Sequence, residues 1–593
     1  MKRSHLATSI AGISIAALAI TGCTTEPPTT TPSSGGTIAA VSGGTITIAA
    51  SDEITGFNFD TPTGSLVVNL QYQQYTRSAF FYIDDKLNIV PDKSFGSVEK
   101  ILDDPLTVKY TLADGVQWSD GEPITADDMM LAWATQSGYY DDVTMNDADD
   151  AVVSGTKYFT YGGGLTKLDL TKLPTVGDNN RSMTLTYTKP YSDWELVNPM
   201  GSPVHVVAKN AGITTADLME AFKITPKGDP ENPATENATI KAAADFWNTG
   251  FAATSLPADS GLYLSSSAMV LDSWTPGQSY TLVKNENYKG DLIPKVDKIV
   301  VRTIKDPSAA VSALENGEVD IISPVASADI ITSLTSLPNV KVVAGIQFGF
   351  THLDLTMDSE VFKDKNVREA FLMTVPRQQI VDALAKPANA SAEIYNSQLF
   401  FPGQDGYEAS VAGNGSAKYD KVDIAGAKAL LNGATPTVRI MYPDSEARSN
   451  AFQLIQASAQ QAGFIVVSNG TPDWGKLLGS GTYDASIFGW TLPGVGINLI
   501  GQFYETDGGL NFSNYSNPRA DTLVNDLQTT TSAKDQMDIK TQLDKTLFGD
   551  AYGLPLYVNP GVVAYSDDVE GVVYYPGRSG AGWNFWMWSK TEG

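Results

Sequence analysis

Hydrophobic and polar positions follow their clearest pattern between Val438 and Trp490. The segments "VRIMY", "FIVV" and "YDASIFG" are short, apolar and rich in β-branched or aromatic residues, which predicts three buried strands. Between them, Glu446 to Ala462 places apolar residues on one helical face and is followed by Gly463, a typical helix stop. With a second, shorter helix over Asp473 to Leu478, this order predicts parallel strands joined by right-handed crossovers.

The loop after the third of these strands, "WTLPGVG", is apolar, rich in glycine and uncharged. Open α/β sheets bind their ligands just beyond the carboxyl ends of the strands, and this loop follows such an end. An aromatic ring there offers apolar area at a small cost in entropy. We predict ligand contacts from Gly489, Trp490, Thr491, Gly494 and, on the preceding short helix, Trp474. For both tryptophans, a place in the core is the alternative.

Two further segments are predicted to approach a ligand. Phe57, Asn58 and Phe59 come soon after Thr45 to Ala50, an alternating segment that predicts the first strand of the body. Gln347 and Phe348 belong to "QFGF", which we expect to precede the strand "THLDL". Both segments would contribute to a cleft from outside the 438–490 unit.

Other elements are predicted from the same patterns. Thr125 and Asp128 form a capping box, which predicts that a helix begins there. Residues 138–190, rich in Gly, Asp and Thr, predict a mostly β region. The pattern further predicts strands over 106–112, 298–304 and 319–322, and helices over 308–316 and 364–375.

The N-terminus is typical of a bacterial lipoprotein leader. Lys2 and Arg3 precede an uncharged apolar run of about 16 residues, shorter than the ~20 that a membrane helix needs. The run ends in "ITGC", which is similar to a lipobox, so residues 1–22 are predicted to be a signal peptide and Cys23 a lipid anchor. An ordinary cleaved signal followed by a chance cysteine is the alternative. Residues 23–44, rich in Thr, Pro, Ser and Gly, predict a flexible tether.

Composition narrows the class of protein. Hydrophobic residues make up 42% of the 593 residues and charged residues 18%, the balance of a folded globular protein. The formal net charge is −27, and no cluster of Lys or Arg offers the basic face that nucleic-acid binding needs. We therefore expect no nucleic-acid partner.

Motifs for catalysis are poor. Beyond the leader the chain has two histidines, His205 and His352, too few for a histidine-based metal cluster. The string "SGTK" matches S-x-x-K but lacks its K-T-G partner, and no nucleophile elbow or phosphate-binding loop is present. We expect no enzymatic activity, no cofactor and no metal. A secreted hydrolase, for example one that uses two of the 67 acidic residues as a glycosidase pair, is the alternative.

Several segments, taken in order, resemble the family 5 extracellular solute-binding proteins, the receptors of peptide and nickel ABC importers. The most specific is "TVKYTLADGVQWSDGEPITADDMMLAW", similar to the family's strand, DG-V-x-W-x-DG-x-P core and helix. The others are residues 260–290, 293–322, 362–381 and 418–431, so the resemblance covers essentially the whole body. Leu262 and Val375-Pro376 depart mildly from the family pattern.

The resemblance implies an α/β fold, a two-lobed clamshell similar to type II periplasmic binding proteins, with an extra subdomain in the N-terminal lobe. The implied division is 45–305 for the N-terminal lobe, 306–556 for the second lobe and 557–593 for a C-terminal return, with hinges near Lys305 and Asn559. It also implies a monomer, held by its lipid on the outer face of the cell membrane, that delivers peptides or another small solute to an ABC permease.

The family pattern also bears on the ligand. In peptide-binding members, the loop after this strand resembles W-x-x-D, and that Asp holds the peptide's α-ammonium group. Pro493 stands at the matching position here. A buried ammonium without a counter-charge costs several kcal/mol. The ligand is therefore either an oligopeptide held by another acid or a non-peptide solute such as an oligosaccharide or a metal chelate.

Overall fold

The structure is a computed structural model, and it describes residues 40–41, 43–145, 152–163, 166–492 and 495–591. The predicted signal peptide, the lipid anchor Cys23, and Pro493 and Gly494 of the predicted loop lie outside the described residues. At the end of the predicted tether, Ala40 and Val41 pair with the last strand of the chain, so the tether prediction was wrong for these two residues.

Strands and helices are numbered in chain order. The strands are β1 Ala40–Val41, β2 Thr45–Ala50, β3 Phe81–Ile83, β4 Ile89–Pro91, β5 Gly96–Asp103, β6 Leu106–Leu112, β7 Thr144–Met145, β8 Val152–Ser154, β9 Thr175–Gly177, β10 Ser182–Thr186, β11 Met269–Thr275, β12 Ser279–Lys284, β13 Lys298–Thr303, β14 Ile321–Ile322, β15 Val340–Leu355, β16 Thr437–Pro443, β17 Ile465–Thr471, β18 Ala485–Thr491, β19 Gly553–Ser566, β20 Val569–Glu570 and β21 Ser589–Thr591. The α-helices are α1 Val67–Thr76, α2 Ala126–Ser137, α3 Val204–Asn210, α4 Thr215–Ile224, α5 Ala238–Thr249, α6 Pro307–Glu315, α7 Ala328–Ser336, α8 Lys365–Met373, α9 Arg377–Ile380, α10 Tyr407–Val411, α11 Ile424–Leu431, α12 Glu446–Ala462, α13 Trp474–Leu477, α14 Asn498–Tyr504, α15 Pro518–Thr529 and α16 Ala533–Gly549. Among the described residues, no helix is both long and apolar enough to cross a membrane.

A ten-stranded sheet runs through the molecule in the order β11-β12-β13-β2-β14-β19-β15-β18-β16-β17. Its centre is formed by β15 and β19, two long antiparallel strands of 16 and 14 residues. Their pairing shifts register between Ile346 and Phe350, where a bulge bends the ladder. This pair is where the chain crosses between the two halves of the sheet.

Two hydrophobic cores lie on either side of this crossing. The core of the first lobe is formed by residues between Ile46 and Ile321 together with residues between Val563 and Trp588. The core of the second lobe is formed by residues between Leu353 and Tyr557. Strand β14 pairs with β2 through Ile321 and Ile48, so the chain at Ile321 still lies against the first lobe. The exact lobe limits at 305/306 and 556/557 stay predictions.

The predicted strand–helix unit over 438–490 is confirmed. Strand β16 pairs in parallel with both β17 and β18, and α12 has the predicted bounds. Helix α12 packs Phe452, Ile455 and Ala459 into the second core and ends at Gly463, whose φ of 109° suits a residue without a side chain. The carboxyl end of β18 therefore lies where the pattern predicted it.

The start of the predicted strand "THLDL" was wrong. "QFGF" belongs to the same strand, because β15 pairs with β18 from Gly349 to Leu355 and with β19 along most of its length. Gly349 suits this crowded place, since a Cβ there would lie 2.4 Å from the backbone oxygen of Trp490. Phe348 thus lies within the central strand of the crossing.

The first lobe carries a separate four-stranded sheet, in the order β5-β6-β10-β9. Helix α2 follows it and begins with the predicted capping box of Thr125 and Asp128. Asp128 also accepts hydrogen bonds from Trp118 Nε1 and the Val204 backbone N–H, and burial raises its pKa to about 6. The capping residue therefore also joins three parts of the first lobe.

Candidate ligand-binding site

A cavity of about 310 Å³ lies where residues of both lobes meet. The first lobe contributes Arg77 after α1 and Tyr82 of β3, among others. The second lobe contributes Phe348 of β15 with Leu492 and Val495 of the loop after β18. We call this the main cavity. A cavity with walls from both lobes is the place where a solute could bridge them.

The C-terminal segment forms a third wall of the main cavity. The Phe348 backbone N–H donates a hydrogen bond to the Pro576 carbonyl at 2.8 Å, and Leu492 N–H donates to the Phe348 carbonyl at 2.9 Å. Arg578 Nη2 donates to the Thr491 carbonyl at 3.3 Å. The loop after β18 is therefore held by backbone contacts on the cavity side.

Trp490 packs beneath this loop. Its ring centroid lies 4.7 Å from that of Phe503 in α14 and 5.1 Å from that of Phe488. It also stacks at 6.0 Å on Phe512 and at 6.1 Å on His352. The indole is half-buried in this aromatic cluster, and the loop residues that line the main cavity are its neighbours Leu492 and Val495. The position of Trp490 suits a residue that supports the loop from below.

The other predicted residues of the second lobe lie near the crossing. Phe348 lines the main cavity, and Gln347 beside it is half-buried. A Cβ at Gly489 would lie 3.1 Å from Arg448 Nη2, on the strand face opposite Trp490. The exposed Thr491 offers its carbonyl to Arg578, and the half-buried Trp474 packs its ring 5.6 Å from Phe488.

Phe57, Asn58 and Phe59 lie in the first lobe and are buried, with side chains 1%, 6% and 6% exposed. Phe57 packs edge-on against Tyr72, and the Asn58 side-chain amide donates to the Trp247 carbonyl at 2.7 Å. Phe57 and Phe59 border a narrow cavity of about 10 Å³ that also reaches Arg77. Their present contacts are those of a core segment behind the main cavity.

Arg77 was missed by the sequence analysis. Its Nη1 donates a hydrogen bond to the Leu264 carbonyl at 2.6 Å, and its guanidinium lies over the rings of Phe59 and Trp118. Burial lowers the Arg77 pKa to about 10, while burial raises that of nearby Asp60 to about 6. A single arginine after a helix gives no local signal for such a position.

The tryptophan-rich end of the chain packs against the first lobe. Trp588 is fully buried in the first core, and Trp583 is 6% exposed. Trp586 lines the main cavity, with its ring 5.4 Å from that of Tyr82. This aromatic wall was not predicted as part of the site, because the cluster "WNFWMW" is equally typical of a core segment.

The carboxylate of Asp193, in the first lobe, binds the end of the loop at which α14 begins. Asp193 Oδ1 and Oδ2 accept hydrogen bonds from the Ile497 N–H at 2.8 and 2.9 Å. Oδ2 also accepts from the Asn498 N–H at 2.9 Å and from its side-chain amide at 2.7 Å. We call the group of Asp193, Ile497 and Asn498 the latch. It is a direct polar link between the first lobe and the start of α14.

The chemistry of the latch is that of a helix cap supplied by another part of the chain. Helix α14 begins at Asn498, and its own N-cap residue, Ile497, has no side chain that could accept a hydrogen bond. Asp193 fills this role, and its negative charge suits the partial positive charge of a helix start. Gly496 permits the approach, because a Cβ there would lie 2.8 Å from Asp193 Oδ2.

A second cavity of about 60 Å³, the side pocket, lies on the second-lobe side of the loop. It shares Phe348, Leu492 and Val495 with the main cavity and extends to Lys540 of α16. Lys540 places its Nζ 4.1 Å from the centre of the Phe400 ring. Burial lowers the Lys540 pKa to about 8, against the opposing effect of Asp544 and Asp193.

Comparison with known proteins identifies the family. The sequence model of the bacterial extracellular solute-binding proteins, family 5 Middle, matches residues 95–496. The chain belongs to family 5 of the bacterial extracellular solute-binding proteins. An uncharacterised lipoprotein of Mycobacterium leprae is 26% identical over 90% of this chain and 92% of its own length.

Solved structures of family 5 proteins share the fold. The periplasmic EDTA-binding protein EppA superposes with a TM-score of 0.74 at 21% identity, covering 94% of this chain and all of its own. The oligopeptide-binding protein AppA of Bacillus subtilis, solved with a nonapeptide, gives 0.62 at 18% identity over 93% of this chain and all of its own. The fold is the two-lobed clamshell of this family, and the family is one of solute-binding receptors rather than enzymes.

Proposed function

We propose that this chain is the lipid-anchored receptor of an ABC importer, which captures oligopeptides in the main cavity and delivers them to a membrane permease. The observation that supports this most is the main cavity itself, whose walls come from both lobes and from the C-terminal segment. A solute bound there would contact both lobes at once and so favour their closed arrangement.

The latch fits the same proposal. It joins the first lobe to the start of α14, directly after the loop that lines the main cavity. Closing on a solute would form these hydrogen bonds, and opening would expose them to water. We propose ligand contacts from Phe348 and Gln347 of β15, from Gly489, Trp490 and Thr491 at the end of β18, and from Gly494 in the loop that follows. Trp474, Phe57, Asn58 and Phe59 would lie behind them.

Calorimetry and thermal unfolding with defined peptide mixtures of two to nine residues test the peptide proposal. We expect micromolar or tighter binding of at least one length class and a rise in the unfolding temperature. If no peptide releases heat or changes the unfolding temperature, oligopeptides are excluded as the ligand. The chain could then still be a receptor, but only for the second candidate ligand described next.

The second candidate is a solute that is not a peptide, in particular a polycarboxylate or its metal chelate. Pro493 occupies the position that matches the acid of peptide-binding members. The expected partner of a peptide's α-ammonium group is therefore missing from this position. The main cavity also presents the cationic side chains of Arg77 and Arg578. The structural likeness to an EDTA-binding protein agrees with this candidate.

Native mass spectrometry of the chain purified from its own host separates the two candidates, because a retained solute can be weighed. A bound mass that fragments into amino acids supports the peptide, and a polycarboxylate or chelate mass supports the second candidate. Protein that carries neither, and that also fails to bind both panels, would contradict both.

The anchor is tested by Cys23→Ser. We expect the variant to lose the lipid and to appear in the medium or as an unprocessed precursor, because two or more acyl chains are needed for stable membrane attachment. Mass spectrometry of the N-terminal peptide and fractionation of cells measure this. Thr24→Ser is the matched control and should stay with the membrane. Lipid found on the Cys23→Ser protein would contradict the anchor.

A further inference from the structure

We propose that the side pocket is a subsite for a carboxylate group of the ligand, which would pair with the ammonium of Lys540. This inference rests on the proposed capture of a solute in the main cavity, and it adds the chemical class of that solute. The observations that carry it are the missing partner of Lys540, the satisfied state of the carboxylates around it, and the pocket beside it.

Lys540 has no carboxylate partner within salt-bridge distance among the residues that the structure describes. Its ammonium instead faces the Phe400 ring, a weaker contact than an ion pair. The chain carries 67 acidic residues against 40 Lys and Arg, so carboxylates are abundant. The Lys540 side chain is half-buried, and its ammonium has no carboxylate beside it in the described part of the chain, so it is available to a partner that comes from outside.

The two carboxylates that act on Lys540 through space already have other partners. Asp544, one turn along α16, accepts hydrogen bonds from Ser397, Ser410, Asn414 and the Gln398 N–H, at 2.6 to 2.8 Å. Asp193 is held by the N–H groups of the latch. Both carboxylates influence Lys540 through space, but neither is free to turn toward it without leaving buried donors unsatisfied.

The side pocket has the size of a small substituent. Its volume of about 60 Å³ corresponds to roughly four to six water-sized probes, which is the space of a carboxymethyl group. The remaining walls are largely apolar, with Phe348, Phe350 and Ile500 among them. An ammonium at the end of an apolar pocket favours a ligand group with a short apolar stem and a negative end.

The pocket is adjacent to the place where the solute would lie. Phe348, Leu492 and Val495 form walls of both cavities, so the two are separated by little more than these side chains. A ligand in the main cavity could therefore reach Lys540 with one substituent. Glutamate or aspartate in a peptide, or one arm of a polycarboxylate, has this form.

The test uses the full chain with matched ligands and measures binding by calorimetry. One panel is a tetra-alanine peptide in which each position carries Glu or Gln, and a second is citrate and EDTA beside their neutral amides. The variants are Lys540→Met, which keeps the length of the side chain without its charge, and Lys540→Arg, which keeps the charge. Lys545→Met, exposed on the same helix, is the control.

We expect the unaltered chain to bind at least one acidic ligand ten or more times more tightly than its neutral counterpart. Lys540→Met should reduce this preference to twofold or less with little change for the neutral ligand, Lys540→Arg should keep part of it, and Lys545→Met should keep it whole. Circular dichroism of each variant establishes that it has folded.

Other outcomes decide between the two proposals. Equal binding of acidic and neutral ligands, or an unchanged preference in Lys540→Met, overturns the carboxylate subsite and leaves peptide capture intact. Binding of polycarboxylates without any peptide keeps the subsite and overturns the oligopeptide proposal. If no carboxylate in either panel binds at millimolar concentration, the subsite is overturned as well.

Discussion

Two charged side chains lie on opposite sides of the same loop, and their surroundings differ. Asp193 of the first lobe is 8% exposed, and its two oxygens receive three N–H groups of the latch. Lys540 of the second lobe is half-buried, has no comparable partner among the described residues, and lies over an aromatic ring beside an open pocket. The first charge is satisfied by the protein, and the second is not.

This difference indicates two roles: Asp193 would hold the lobes together, and Lys540 would bind the ligand. A buried charge with all its hydrogen bonds made stabilises the arrangement that makes them, which for Asp193 is the contact of the first lobe with α14. A buried charge without a partner lowers the stability of the free protein and favours whatever supplies the opposite charge. The latch would thus set how readily the lobes close, and the side pocket would set which solute they close on.

The largest effect is expected from breaking the latch. Asp193→Ala leaves the N–H groups of Ile497 and Asn498 without their acceptor, at a cost of about 3 kcal/mol to the closed arrangement. Affinity for every ligand should fall by roughly a hundredfold, whatever the charge of the ligand. Calorimetry with acidic and neutral ligands measures this.

Two further variants sharpen the latch prediction. Gly496→Ala should have the same direction of effect, because its Cβ would collide with Asp193 Oδ2. Glu195→Ala, exposed two residues away, is the matched control and should bind normally. An Asp193→Ala protein with unchanged affinity would show that the latch contributes nothing to capture.

Removing the Trp490 ring beneath the loop should lower both the stability of the protein and its affinity for ligands. Trp490→Ala deletes contacts to Phe488, Phe503 and Phe512, and truncation of a half-buried tryptophan is expected to lower the free energy of unfolding by about 2–3 kcal/mol. We expect the fold to survive, with affinity reduced tenfold or more. Chemical denaturation and calorimetry on one preparation measure the two effects. Normal affinity in a destabilised variant would assign Trp490 to the core alone.

Neutralising the unsatisfied charge should stabilise the free protein. Lys540→Met replaces a half-buried ammonium by an apolar side chain of similar length, and we expect the free energy of unfolding at pH 7 to rise by about 1 kcal/mol. Lys545→Met should leave it nearly unchanged. A loss of stability in Lys540→Met would mean that the contact with Phe400 outweighs the cost of burial, which would contradict the comparison.

The smallest effect is a pH dependence of stability. Burial lowers the Lys540 pKa to about 8, below the ~10.4 of an unfolded lysine, so the unfolded chain binds more protons between these values. The free energy of unfolding should therefore rise with pH across this window, and the difference from Lys540→Met should shrink. Asp544, Asp193 and Tyr504 face the same region and are present in both proteins. A difference that stays constant from pH 7 to 10 would contradict the lowered pKa.

Local patterns were sufficient to predict the strand–helix unit and its loop. The apolar period of α12, the glycine at its end and the short runs of β16 to β18 are determined within a few residues, and the structure has them as predicted. The capping box at Thr125 is equally local. The bounds of β15 were missed because its pairing with β19 joins residues about 200 positions apart.

The latch and the side pocket could not be predicted in the same way. Asp193 and Asn498 are 305 residues apart, and neither has a neighbour in sequence that indicates the contact. Lys540 lies on a helix with other lysines, and a lysine on such a helix is typically on the surface. Its position follows from how α16 packs against the loop, which only the tertiary structure shows.

In the proposed receptor, the loop after β18 lies between Asp193, a satisfied charge that holds the lobes, and Lys540, an unsatisfied charge that selects the ligand. The most direct measurement is a crystal structure of the full chain with its tightest-binding acidic ligand. We predict the ligand in the main cavity, one carboxylate oxygen about 3 Å from Lys540 Nζ, and the latch intact. A ligand whose carboxylates all lie away from Lys540, or a closed complex without the Asp193 hydrogen bonds, would contradict the account.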